Sequence, residues 1–377
     1  MVVVAPTDGG GVLADVAQAT PAWLTGAMRR SGALGRGRVA SVDVVPHETP
    51  QASMARLAVR YSADSDPAAP RALRLKVAPP AAHPSPMPSA EVAFYRLVAP
   101  RMPGFPTPRC FDAAQTEDGA RWHLLIEDAS TSHDQPPYPV PPPEPQCVAA
   151  VACLAELHAA WWEHPELPAI AAAAGVRVRT AAELPEVVER TELTVQAFLD
   201  FLGDRLSAPR RRIYERLLAS QAPLRRRQMA RPHTLAHGDA HWWNFLYPRG
   251  SYGVGDRRGR TEDTTASRVL LIDWAFWTAG PALEDLAHAI ALAWFPERRQ
   301  RLERPLLQHY HRELCRRGVS GYNWEACWED YRLFAATRPF TLAFQWQRKG
   351  WPLVWWNNLE RAMLAFDDLR CEELLER

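Results

Sequence analysis

The segment Leu235-Ala236-His237-Gly238-Asp239-Ala240-His241-Trp242-Trp243-Asn244-Phe245-Leu246 decides how this chain is read. It holds His-x-Asp-x-x-x-x-Asn just after a short apolar run. A second apolar run ending in a carboxylate, Leu270-Leu271-Ile272-Asp273-Trp274, follows 29 residues beyond Asn244. This set supplies what phosphoryl transfer requires. Asp239 can accept the proton of an attacking hydroxyl, and the Asn244 amide oxygen and the Asp273 carboxylate are hard donors for Mg²⁺ against nucleotide phosphates. With 12 His, 19 Asp and 4 Asn in the chain, a shuffled sequence would show the three-residue pattern roughly 0.006 times, so coincidence explains it poorly.

On the N-terminal side of this segment the pattern is strand-like from 38 to 128. Residues 38–45, 55–63 and 72–77 alternate or run apolar over strand length. Residues 89–97 then carry helical spacing, with Ser89 as a candidate cap. Two further strands are expected at 109–113 and 122–126, and a helix at 21–32. The Pro-rich stretch 136–145 reads as loop. Beyond it the periodicity is helical at 146–163, 181–203, 207–222, 283–295, 297–317, 324–335 and 355–376. Only two short strands interrupt, at 234–237 and 269–273. Residues 1–20 read as poorly ordered and 249–267 as a polar, mobile insertion. Strands first and helices after predict an α+β protein. Residues 1–128 form a β-rich lobe, and residues 129–377 form a helical lobe carrying the catalytic loop.

Composition narrows the class. A chain of 377 residues, 47% hydrophobic and 23% charged, is an ordinary globular protein with room for two lobes. A net charge of +1 gives no basic excess for nucleic acid. The six Cys contain no C-x-x-C pair, which argues against a zinc ribbon or a disulfide framework. No signal peptide and no long apolar run is visible, so a cytoplasmic protein without a membrane partner is expected. The 44 basic residues include only two Lys, Lys76 and Lys349. The bias toward Arg, Ala and Pro is the mark of a GC-rich genome, and against it each Lys is worth inspecting.

The catalytic segment resembles that of the aminoglycoside phosphotransferase and choline kinase-like small-molecule kinases, which share the protein-kinase fold. His237-Gly238-Asp239 to Asn244 looks like their catalytic loop, and Ile272-Asp273-Trp274 like their metal-binding segment. Gly280-Pro281, Glu284-Asp285-Leu286-Ala287 and Leu154-Ala155-Glu156-Leu157-His158-Ala159 fit the same resemblance, the last as in the ecdysteroid kinase-like branch. The resemblance implies a two-lobed fold binding ATP and Mg²⁺. Lys76, on the third strand, would contact the nucleotide phosphates, with Glu91 on the next helix orienting it. Glu127, Asp128 and Ala129 would form the hinge that hydrogen-bonds adenine. One departure stands out: the loop 45–54 between the first two strands has no Gly. Ser53 and its neighbouring amides are left to approach the phosphates, and the choice between ATP and GTP stays open.

Each residue also has a plainer reading. His237 can steady the loop by hydrogen bonding or take part in the chemistry. His237 and His241 are spaced like zinc ligands, but no Glu occupies position 238 and no further ligand is in view. Glu91 stands in a first helical turn, where the helix dipole alone favours a carboxylate. Asp285 is a candidate buried acceptor, Glu329-Asp330 a solvated face, and the run Arg225-Arg226-Arg227 a surface cluster. Of 15 Trp, 11 follow residue 240. Most are expected in the core, and a few could wall an acceptor pocket. The reading is an ATP- and Mg-dependent kinase that phosphorylates a hydroxyl of a small molecule, such as an antibiotic or other natural product. A neutral or aromatic acceptor fits the balanced charge better than a polycationic one. A metabolic kinase of an amino alcohol, choline or a sugar would use the same machinery. A non-catalytic nucleotide-binding module and a zinc hydrolase built on the two His are the remaining classes.

Overall fold

The computed structural model describes residues 11–48, 52–79, 88–250 and 268–375. Of residues 1–20, expected to be poorly ordered, the first ten lie outside them, as do the middle of the Gly-free loop and nearly all of the 249–267 insertion. Residues 11–20 correct that expectation, with a capped turn at Val16–Gln18 and with Leu13, Val16 and Ala19 buried in the core.

The chain divides into two compact units, residues 1–134 with 246–276, and residues 135–245 with 277–377. The first is built on a five-stranded antiparallel sheet. Its strands are β1 (Val39–Glu48), β2 (Ser53–Tyr61), β3 (Ala72–Val77), β4 (Cys110–Gln115) and β5 (Trp122–Glu127), in the order β1-β2-β3-β5-β4. Alternation decides which side chains meet. Leu73, Leu75 and Val77 of β3 enter one core with Leu57 and Val59 of β2 and with Leu24 and Met28 of α1 (Pro21–Arg30). With a side-chain period of two, Arg74 and Lys76 are turned to the opposite face. Thr20 caps α1 through its hydroxyl, which accepts from the Trp23 N–H, and Pro21 occupies the first helical position. Helix α2 (Pro88–Ala93) runs on into a wider π-helical turn at Phe94–Val98. A small sheet of β6 (His133–Asp134), β8 (Phe245–Pro248) and β9 (Leu270–Leu271) follows.

The second unit is helical. Its helices are α3 (Glu144–Ala160), α4 (Leu167–Ala173), α5 (Leu184–Leu202), α6 (Ala208–Met229), α7 (Leu283–Ala287), α8 (Pro296–Arg316), α9 (Trp324–Ala335), α10 (Arg338–Gln347) and α11 (Pro352–Asp368). Two strands, β7 (His233–Ala236) and β10 (Thr278–Pro281), pair antiparallel. The α+β class holds, as does the strand–helix order of the first 128 residues. The expectation of only two short strands after residue 128 does not: β6, β8 and β10 were missed because strands of two to four residues show no measurable period. Helices α4 and α10 were missed too. Asp330, read as a solvated face, is 2% exposed, accepts from the Tyr322 hydroxyl at 2.8 Å, and pairs with Arg231. Trp242, Trp274, Trp277 and Trp294 are fully buried, whereas Trp351 is 70% exposed. No described helix is long and apolar enough to cross a membrane.

Candidate active site

In the first unit, the central strand β3 presents Lys76 and the start of α2 presents Glu91. Nζ of Lys76 lies 3.0 Å from Oε1 and 3.0 Å from Oε2 of Glu91. Both side chains are largely buried. Burial pushes the Lys76 ammonium down, but Glu91 and then Asp273 outweigh it, so its pKa is raised. Burial holds the Glu91 carboxyl above its ordinary value against the pull of Lys76, and Asp273 adds to the rise. Asp273 therefore belongs to the same charge cluster. It sits at φ 66°, a left-handed conformation uncommon for any residue other than Gly. Backbone held in that region marks a functional constraint more often than chance. The next residue fixes the arrangement. The Trp274 N–H donates to the Glu91 carboxylate, its ring stacks on Phe94 at a centroid distance of 3.6 Å, and its Nε1 donates to Thr107 Oγ1 at 3.1 Å.

The hinge residues are more constrained than the sequence indicates. The Glu127 N–H donates to the Arg109 carbonyl at 2.8 Å and the Asp128 N–H to the Ala72 carbonyl at 3.1 Å. Neither amide is then available to a base. The Asp128 side chain is buried, accepts from the Ser130 N–H, and pairs with Arg74 and Arg56. Ala129 begins the turn that Asp128 caps. Ser53 is buried at the start of β2, opposite Val77.

In the second unit, the segment after β7 turns at Gly238, whose φ of 81° suits a residue without Cβ. The loop is held from below by Asp285 on α7. Asp285 is fully buried and accepts from the His237 N–H at 2.6 Å and the Gly238 N–H at 2.8 Å. His158 Nε2 is 3.1 Å from the same carboxylate, and its Nδ1 is 2.7 Å from the Tyr310 hydroxyl. Burial alone would raise the Asp285 carboxyl, but the His158 hydrogen bond and the loop amides hold it below its ordinary value. The plainer reading of Asp285 as a buried acceptor describes this contact.

His237 is buried, and its Nδ1 accepts from the Asp239 N–H at 3.4 Å, a contact of the loop-steadying kind. Asn244 Nδ2 donates to the Asp239 carbonyl at 2.9 Å, leaving the amide oxygen as an acceptor. Asp239 is bracketed by two imidazoles: His288 Nε2 is 3.4 Å from Oδ1, and His241 Nε2 is 3.6 Å from Oδ2. Burial pushes Asp239 up, but His241, His288 and His237 bring it below the ordinary carboxylate value, so it is ionised near neutrality. Burial drives His288 itself down to about 4, so near pH 7 the ring that faces Asp239 is uncharged. Sequence reasoning missed His288. The signal was its position three residues after Asp285, one helical turn further along the helix that supports the loop.

The structure thus gathers Lys76, Glu91 and Asp273 in the first unit, and His237, Asp239 and Asn244 in the second. Asn244 and Asp273 offer oxygen donors of the kind Mg²⁺ prefers. His237 and His241 gain no further ligand for zinc: among the described residues no group of three His, Cys, Asp or Glu side chains is placed to hold a metal.

This fold and these loops define a phosphotransferase. The model of the phosphotransferase enzyme family, APH, matches residues 61–256, more than half of the chain, and the chain belongs to that family. The matched stretch includes Lys76, Glu91, Asp239 and Asn244 and stops short of Asp273. The protein is accordingly a small-molecule kinase.

Solved structures share the fold at low identity. A choline/ethanolamine kinase family protein from Mesorhizobium loti is 11% identical with a TM-score of 0.50, covering 89% of this chain and 91% of its own. A point mutant of aminoglycoside 2'-phosphotransferase-IIIa, in its GDP complex, is 14% identical with a TM-score of 0.52, covering 89% and 93%. A Ralstonia eutropha JMP134 protein provisionally described as an aminoglycoside phosphotransferase is 13% identical with a TM-score of 0.54, covering 92% and 97%. A search of curated proteins finds no match.

Proposed function

We propose that this protein transfers the γ-phosphoryl group of ATP to a hydroxyl of a small molecule, with the residues above in named roles. The carrying observation is the Asp239 loop: its catalytic carboxylate is ionised, bracketed by two imidazoles, and fixed through backbone amides on the buried Asp285. Asp239 orients the acceptor hydroxyl and takes its proton. A new bond forms between that oxygen and the γ-phosphorus, the bond from the γ-phosphorus to the bridging oxygen breaks, and ADP leaves. Lys76, held by Glu91, neutralises the α- and β-phosphates. Asn244 and Asp273 are the residues that would hold Mg²⁺, which when bound neutralises charge on the phosphates. His237 steadies the loop. Ser53 lies beside the phosphate-binding strands, and Ala129 is the hinge residue left to donate to the base, since the Glu127 and Asp128 amides are engaged. The GDP complex of the aminoglycoside 2'-phosphotransferase-IIIa mutant keeps GTP in view as a second donor.

Residues 1–128 act in this reading as the nucleotide-binding lobe, and 129–377 carry the catalytic loop and acceptor site. The acceptor is a small hydroxylated molecule, an antibiotic or other natural product in a resistance role, or an amino alcohol, choline-like or sugar metabolite. The balanced total charge argues against a polycationic one. The enzyme is expected to work in the cytoplasm. A screen of hydroxylated metabolites and antibiotics with Mg·ATP and Mg·GTP tests the reading by the mass gain of one phosphate. Nucleotide hydrolysis or binding that is absent in both cases contradicts it.

A further inference from the structure

Three guanidinium groups converge on one carboxylate in the second unit, one helical turn from the catalytic loop. Arg179 Nη1 lies 2.8 Å from Glu284 Oε2, and Arg338 Nη2 lies 3.4 Å from Glu284 Oε1. Arg225, on α6, completes the group. It is mostly buried, donates to Thr191 Oγ1 at 2.9 Å, and is within electrostatic reach of Arg179, Arg338 and Glu284. The expectation that Arg225 belongs to a surface run is thereby corrected: α6 turns Arg226 outward and Arg225 inward.

The three cations come from three separate stretches of chain and Glu284 from a fourth, which distinguishes a built site from a charged helix face. Arg179 follows the Val178–Ala279 bridge, and its N–H donates to the Ala279 carbonyl at 3.0 Å. Its aliphatic stem packs over Gly280, where a Cβ would come within 3.2 Å of its Cδ. Arg338 opens α10 and is 6% exposed. Glu284 stands on α7.

The charges do not balance locally. Burying a cation is costly unless it is paired, and Glu284 supplies one negative charge for three positive ones. The neighbouring carboxylate, Asp285, is already engaged by two loop amides and His158. The Nε atoms of Arg179 and Arg225 are buried without a hydrogen-bond partner. Burial and then Arg179 hold the Arg225 guanidinium down to about 10, still charged at neutral pH. Arg179 keeps 30% of its side chain exposed, so the cluster is open to a solute.

Its position is the second half of the argument. Glu284 and His288 are four residues apart and stand one above the other on the same helix face, about 5–6 Å apart at Cβ. His288 touches Asp239 Oδ1, and the Arg338 charge acts on His288. We propose that the acceptor carries an anionic group, carboxylate or phosphate, which docks on Arg179, Arg225 and Arg338 while its hydroxyl is presented to Asp239. This rests on the phosphotransferase reading and turns it from a neutral acceptor to an acidic one. Arg suits the task because its planar fork matches both oxyanions.

Four probes of one skeleton separate the possibilities: gluconate for the carboxylate, glucose 6-phosphate for the phosphate, glucose as the neutral form and glucosamine as the cation. Each is titrated calorimetrically into the wild type and into Arg225→Gln and Arg179→Gln. The expected result is at least one anion bound tenfold or more tighter than glucose and glucosamine, with a 10- to 100-fold loss in both variants, the range for a charged hydrogen bond. Arg179 is the more exposed of the two, which keeps the test usable if Arg225→Gln folds poorly. Equal binding of all four, preference for glucosamine, no binding of either anion, or a preference that survives both substitutions would overturn the proposal. ADP titrated into the wild type reports separately. Absence of ADP binding removes the phosphotransferase reading, whereas ADP binding without anion preference removes only the acidic acceptor.

Discussion

Lys76 Nζ is equidistant, at 3.0 Å, from the two carboxylate oxygens of Glu91. Removing one partner of a buried pair strands the other, which costs about 3–5 kcal/mol. Lys76→Ala is therefore expected to lower the denaturant midpoint and to weaken Mg·ATP binding at least tenfold. Glu91→Gln should weaken ATP binding less, because the ammonium remains. Calorimetric titration with ATP and a urea melt measure both, and unchanged ATP affinity in Lys76→Ala would remove Lys76 from the phosphate site.

The contacts of Asp285 with the loop amides carry a pH signature. Its folded-state pKa is depressed, so its stabilising contribution is complete above the ordinary carboxylate value of about 4. That contribution is lost as pH falls through the lower folded value. Asp285→Asn should be less stable than the wild type at pH 7, by about 1.5–3 kcal/mol for one charge-assisted hydrogen bond. The gap should narrow on acidification from pH 5 to pH 3. Urea midpoints across that range test it, and a gap that widens with acid contradicts the assignment.

His288 is expected to position Asp239 rather than to exchange its proton, since it is uncharged above about pH 4. His288→Ala should reduce kcat about tenfold, the loss of one close polar contact to the Asp239 carboxylate. KM for ATP should stay within twofold, and His288→Asn, which keeps an N–H donor, should recover part of the loss. A pure KM effect, or no rescue by Asn, would assign His288 to packing alone.

Gly238 adopts φ 81°. An L-residue there costs about 1–2 kcal/mol and disturbs two amides bonded to Asp285. Gly238→Ala should therefore lower kcat more than it lowers stability. Equal turnover in the variant would show that the loop tolerates the strain.

Much of this was legible in the sequence because the informative residues are close in the chain. Asp239 and Asn244 share one loop, and Lys76 lies on a strand whose alternation is clear. The two Lys of an otherwise Arg-only chain also made Lys76 conspicuous. What was not legible depends on long-range packing. Glu127 and Asp128 look like open hinge amides until the carbonyls of Arg109, just before β4, and of Ala72 on β3 are seen to take them. His288 becomes meaningful only once Asp285 is known to hold the catalytic loop. Arg225 looked like surface because its neighbours in sequence are charged, whereas its partners Arg179, Glu284 and Arg338 are 46 to 113 residues away. Short strands such as β6 and β8 are created by pairing, and their two to four residues carry no pattern of their own.

The central claim is that Asp239 is the catalytic carboxylate of a phosphotransferase, and one comparison tests it most directly. Wild type and Asp239→Ala are assayed side by side for ATP affinity and for phosphate transfer to the acceptor found in the screen. The account predicts ATP affinity within a few-fold of wild type and turnover reduced 10²–10⁴-fold, the range for loss of a general base. Undiminished transfer by Asp239→Ala would contradict it.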